Sequence, residues 1–118
     1  MHNKAANYVD ALTERDLAQV LALLTDDAAV HGPDGAIRGQ ADICRLFRRR
    51  FALGATLDVT DMTVDGSAVT IAYRAQLCGA AADGRDLLRF AADGRIAEVR
   101  LQPSLAERLA LAPVAGHA

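Results

Sequence analysis

Aromatic residues are scarce in this sequence, which has no tryptophan, two tyrosines and three phenylalanines. A nucleic-acid binder needs rings for stacking and a basic field for phosphates, and a net charge of -2 offers neither. The one basic run, Arg48-Arg49-Arg50, lies inside a helical pattern that also carries Arg45 and reads as a solvated helix face. Cysteine is equally sparse. Neither Cys44 nor Cys78 has a second Cys or a His at zinc-site spacing, so free thiols in a reducing cytoplasm are expected, with no metal and no cofactor. No apolar run reaches the length of a membrane span. Met1-His2-Asn3-Lys4 leads into an amphipathic pattern rather than the continuous apolar stretch of a signal peptide.

What remains is ordinary globular material. With 118 residues, 52% of them hydrophobic and 24% charged, the chain is expected to form one domain over 1–118 with a real core. Ala5, Tyr8, Val9 and Leu12 make one apolar stripe at helical spacing. Asp16, with Gln19 three residues on, opens a second helix as a capping box. Its stripe is Leu17, Val20, Leu21 and Leu24, and Thr25-Asp26-Asp27 is expected to close it. Ala28 to His31 is a short strand candidate, Gly32-Pro33-Asp34-Gly35 a turn, and Ala36-Ile37-Arg38 a brief second strand. Gly39 opens a third helix that buries Ile43, Leu46, Phe47 and Phe51 and leaves its arginines outside.

From Ala55 the period becomes alternating. Leu57 and Val59 share one side before the apolar set moves to Met62 and Val64, a phase shift that predicts a bulge near Thr60-Asp61. Asp65-Gly66 supplies a hairpin turn. Val69, Ile71, Tyr73, Ala75 and Leu77 alternate along the longest strand, and a loose segment over Gly79 to Gly84 follows. A short terminal helix is suggested by Leu105, Leu109 and Ala112 within a 102–118 tail. Helices followed by consecutive antiparallel strands point to an α+β fold, with the helices laid on one concave sheet and a pocket between them.

One stretch departs from simple patterning. In the hairpin from Gly84 to Arg100, Asp86 shares its face with Leu88 and Phe90, so a carboxylate points where large apolar groups point. Asp93-Gly94 makes the turn, and the return strand sets Ala97, Val99 and Leu101 on one side and Ile96, Glu98 and Arg100 on the other. Such an acid is either paired, with Arg74, Arg89 or Arg100 as candidates, or poised for chemistry. Tyr8 poses a related question, because an enclosed hydroxyl needs a partner.

Several of these runs resemble a known family. Tyr8-Val9-Asp10-Ala11-Leu12, then Arg15-Asp16-Leu17 and Leu24-Thr25-Asp26-Asp27-Ala28, look like the opening of the bacterial ketosteroid isomerases, in the nuclear transport factor 2 and polyketide-cyclase (SnoaL-like) superfamily. Pro33, Gly35, Gly39 and Ile43 match that family's first turn and third helix. Asp86-Leu87-Leu88-Arg89-Phe90 and Asp93-Gly94-Arg95-Ile96 match its penultimate hairpin, so the resemblance covers about residues 5 to 102. It implies a cone-shaped, usually homodimeric fold around an apolar cavity. It also implies that Tyr8 and Asp86 form an oxyanion hole, the acid kept neutral by its apolar site so that it can donate to an enolate.

The family's general-base aspartate precedes the turn proline, where this chain has Gly32. Asp34 and His31 are the nearby substitutes, each with a plainer reading as a turn acid and a surface histidine. Leu12, Phe47, Phe51, Met62, Leu88, Val99 and Leu101 are expected to line the cavity and to suit a small hydrophobic carbonyl or phenolic ligand, steroid-like in the family. Steroid-isomerase-like proton transfer is one expectation. A non-catalytic binding or dimerisation module is another, and a polyketide cyclase-like enzyme using Asp61 or Glu98 is a third.

Overall fold

The computed structural model describes residues 2–32, 35–77 and 79–102. Three helices precede or interrupt six strands: α1 (His2–Thr13), α2 (Leu17–Leu23), β1 (Leu24–Gly32), β2 (Gly35–Arg38), α3 (Gln40–Ala52), β3 (Thr56–Asp65), β4 (Ala68–Leu77), β5 (Ala80–Phe90) and β6 (Ile96–Gln102). The strands form one sheet in the order β2-β1-β6-β5-β4-β3. All neighbours are antiparallel except β1 and β6, which run parallel. The expected α+β architecture is therefore present, with the helices packed on the concave side of a curved sheet.

Local chemistry explains the joints. The Asp16 carboxylate accepts a hydrogen bond from the Gln19 N–H at 3.1 Å, satisfying one of the donors that a helix start leaves open. Between α1 and α2 the chain turns through Arg15 in the left-handed region, φ 53°, and the Asp16 N–H closes back on the Ala11 carbonyl at 2.9 Å. The β3–β4 register slips between Val59 and Asp61, the bulge that the phase shift in the sequence predicts.

Three expectations require correction. Thr25, Asp26 and Asp27 do not close α2; they already belong to β1, which pairs with β6 from Leu24 onward. The segment after Gly79 is not loose, because Ala80 to Asp83 pair with Leu77 to Arg74 and extend β5 outward. Backbone pairing there overrides small side chains that give no alternating signal. Ile96 is buried, contrary to its expected side, because a register shift between Arg89 and Phe90 places it opposite Phe90. The suggested terminal helix lies outside the described residues.

The core sits between the helices and the inner face of the sheet. Tyr8, Val20, Phe47, Val69, Leu88 and Val99 are completely buried there. Burying a side chain of this size removes enough apolar surface to contribute roughly 1.5–3 kcal/mol. The inner face is thus fixed strongly, which matters for the polar side chains embedded in it.

Candidate functional site

Two buried polar or charged side chains stand out from that core, Asp86 at 1% exposure and Arg50 at 6%. Asp86 arrives as expected, on the inward face of β5 with Leu88 and Phe90. Tyr8 also arrives as expected, on the buried stripe of α1, and its hydroxyl donates to Asp86 Oδ2 at 2.8 Å. The two residues singled out by sequence do converge.

A buried cation joins them. Arg50 donates from Nη1 to Asp86 Oδ2 at 2.8 Å and from Nη2 to Oδ1 at 3.2 Å, the fork-on-fork geometry of a guanidinium and a carboxylate. It also donates from Nη2 to the Tyr73 hydroxyl at 3.3 Å, with the guanidinium carbon 5.7 Å from the Tyr73 ring centre. Asp86 therefore accepts from Tyr8 and Arg50. The contacts are those of a carboxylate paired with a guanidinium, whereas an oxyanion hole needs Asp86 as a donor.

Arg50 is the residue that sequence reasoning missed. It stands in a run with Arg48 and Arg49 that reads as a solvated face, yet it lies seven residues after Ile43, four after Leu46 and three after Phe47, all buried on α3. That spacing was the available signal. None of the arginines considered as partners for Asp86 takes that place: Arg74 pairs with Asp83, and Arg89 and Arg100 pair with Glu98. Tyr73, on the inward side of β4, is the second residue whose polar role went unread.

Burial and charge set the titration of this group. Desolvation, followed by the Asp86 charge, holds the Tyr8 hydroxyl well above its ordinary pKa, so it stays a neutral donor. For Arg50, burial acts to lower the pKa, but Asp86 and the two tyrosine hydroxyls outweigh it and raise the value well above normal. Arg50 therefore stays a charged donor.

A cavity of about 320 Å³ opens beside this network. Leu12, Phe51, Ala55 and Leu57 form its apolar side, and Thr13, Thr56, Arg15 and Arg50 its polar side. A crevice of only about 10 Å³ continues toward Asp86 and Tyr73, sharing Leu12, Thr13 and Leu57 with the larger space. Of the expected lining, Leu12 and Phe51 face the cavity. Phe47, Leu88, Val99 and Leu101 are instead packed in the core, and Met62 is packed against it.

Of the expected base residues, His31 does not join the site. His31 faces the outer side of the sheet, where its Nε2 lies 3.0 Å from Glu98 Oε1. Partial burial and then Arg100, Arg38 and Arg89 lower its pKa. Asp34 lies outside the described residues. At Gly32 an added Cβ would meet only Ile37 and Leu46 side-chain carbons at 4.0 Å, so space for a larger residue exists at the matching position. Asp61 is exposed on β3. Among the described residues no group of His, Cys, Asp and Glu could hold a metal.

The SnoaL-like domain family matches residues 5–99. The chain belongs to that family. Solved structures agree with the architecture of this SnoaL-like domain. A protein provisionally called a ketosteroid isomerase, from Kribbella flavida, is 26% identical and superposes with a TM-score of 0.75 over 86% of this chain and 76% of that one. A protein provisionally called a polyketide cyclase, from Sinorhizobium meliloti, is 21% identical at a TM-score of 0.75, over 85% and 94% of the two chains. The epoxide hydrolase/cyclase-like enzyme SalBIII, of pyran ring formation in the polyether salinomycin, is 18% identical at 0.76, over 89% and 91%. No curated protein matches the sequence. Among the described residues no helix is long and apolar enough to cross a membrane.

Proposed function

We propose that this SnoaL-like domain binds a small, largely apolar molecule carrying a carbonyl or phenolic oxygen, in the cavity beside Arg50. The observation that carries the reading is a guanidinium fixed by Asp86 in the wall of a hollow that faces it with Leu12, Phe51 and Leu57. A donor held rigid before the ligand arrives loses little entropy on binding, which is what preorganisation means. Ligand pockets run from roughly 300 to 1,000 Å³, so a cavity of about 320 Å³ suits a one- or two-ring compound better than a steroid.

Steroid-isomerase-like chemistry makes further demands. A dienolate held by Tyr8 and Asp86 needs both groups to aim hydrogens at the guest, and the proton must move through a base in place of Gly32. The Asp86–Arg50 pair and the narrow crevice favour the non-catalytic alternative of the same fold, a ligand-binding or dimerisation module. A cyclase-like enzyme would have to use other acids, and Glu98 is already committed to Arg89, Arg100 and His31. A homodimer in a reducing cytoplasm completes the proposal on family likeness alone.

Thermal unfolding with a naphthol probe tests the binding claim, since a ligand that binds only the native state raises its stability. Wild-type protein is expected to gain thermal stability, and Ala55→Trp, which fills the cavity and leaves both members of the ion pair in the sequence, to lose that gain. A wild-type transition that does not move at saturating probe would overturn the reading. Gly32→Asp tests catalysis separately: a large gain of steroid isomerase turnover would show a site lacking only its base, whereas no gain supports the binding module.

A further inference from the structure

The cavity wall holds two arginines and no acid. Their charges are not equivalent. Arg50 is matched by Asp86 directly behind it, whereas Arg15 is exposed at the rim and forms no ion pair among the described residues. The cavity therefore carries one uncompensated positive charge beside a surface of Leu12, Phe51 and Leu57. Low-dielectric walls around a charge of one sign concentrate its field on whatever enters.

Arg15 also occupies an unfavourable backbone state. It is the sole non-glycine residue with positive φ among the described residues, at a helix end where glycine would be the least strained choice. The six other positive-φ positions, among them Gly54 and Gly66, are glycines. Strained backbone positions of this kind cluster at ligand clamps and active sites.

We propose that the cavity takes an organic anion: an apolar carboxylate of one or two rings, its body against Leu12, Phe51 and Leu57 and its carboxylate turned to Arg15 at the rim. Arg50, already paired, supplies polarity at the inner wall and fixes how deep the ring can sit. This inference rests on the cavity being a binding site, and it adds the charge of the ligand.

Calorimetric titration of the full chain with a naphthalene carboxylate and with its methyl ester separates the two claims. The carboxylate is expected to bind about tenfold more tightly than the ester at low salt, the scale of one charge-assisted contact. Raising salt from about 20 to about 300 mM should shrink that ratio, because the rim is open to screening. Arg15→Gln and Arg15→Gly should both abolish the preference, weakening the acid about tenfold more than the ester. Arg15→Gly should also melt no lower than wild type, since glycine adopts this backbone state without strain. An ester that binds as tightly as the acid, or a preference that survives both variants, overturns the anion site and leaves the cavity reading standing. Binding of neither compound removes both.

Discussion

Asp86 and Glu98 are carboxylates on adjacent strands of one sheet, each facing guanidinium groups, and they show what burial does to the same chemistry. Asp86 points inward, 1% exposed, against an Arg50 that is 6% exposed. Glu98 points outward and meets Arg89, Arg100 and His31, whose side chains are 59%, 53% and 27% exposed. On the outer face the Glu98 side chain is itself only 12% exposed, but water and salt reach its cationic partners, and those can be exchanged. On the inner face neither charge has an alternative, so the pair must remain intact once formed.

The comparison breaks first at Arg50. Arg50→Met keeps much of the volume but strands a carboxylate in the core, and it should lower stability by about 3–5 kcal/mol in urea or thermal unfolding. Tyr8→Phe removes one hydroxyl donor to Asp86 while Arg50 remains, so a loss of about 1–2 kcal/mol is expected in the same measurement. Glu98→Gln should cost about 1 kcal/mol or less, and that cost should fall as salt is added. A Glu98 variant as damaging as the Arg50 variant would erase the distinction between the faces.

The sequence made Tyr8 and Asp86 legible because each breaks a period that is otherwise apolar. A helix stripe with one hydroxyl and a strand face with one acid are local facts, visible without knowing the fold. The α+β layout with helices on a concave sheet followed from the change of period at Ala55 and from the separation of helices and strands, and the cone from the family resemblance. What was not legible is which cation lies across the interior. Arg50 sits in a run with Arg48 and Arg49, and a charged run masks the member that the helical period turns inward. Its buried spacing with Ile43, Leu46 and Phe47 was present, but an arginine is rarely assigned to a core before its partner is known. That single contact gives Asp86 a buried guanidinium partner that its own strand does not announce.

The β5 extension was hidden for a different reason. Ala80, Ala81, Ala82 and Asp83 carry no alternation, and their strand state comes from pairing with β4. Small residues take the structure of their neighbours. The ligand-lining set also shifted inward: Phe47, Leu88 and Val99 fill the space that an open cone would leave. The cavity is displaced toward the α1 end and the start of β3, where Leu12, Arg15 and Leu57 meet.

A double-mutant cycle on Arg50 and Asp86 tests the buried pairing most directly, with unfolding free energies measured for Arg50→Met, Asp86→Leu and the double variant. If the two charges are mutually required inside the core, each single change is costly and the double variant is more stable than the sum of losses implies, by about 2 kcal/mol or more. Losses that add would mean that Arg50 and Asp86 do not depend on each other, and the fixed guanidinium in the cavity wall would be contradicted.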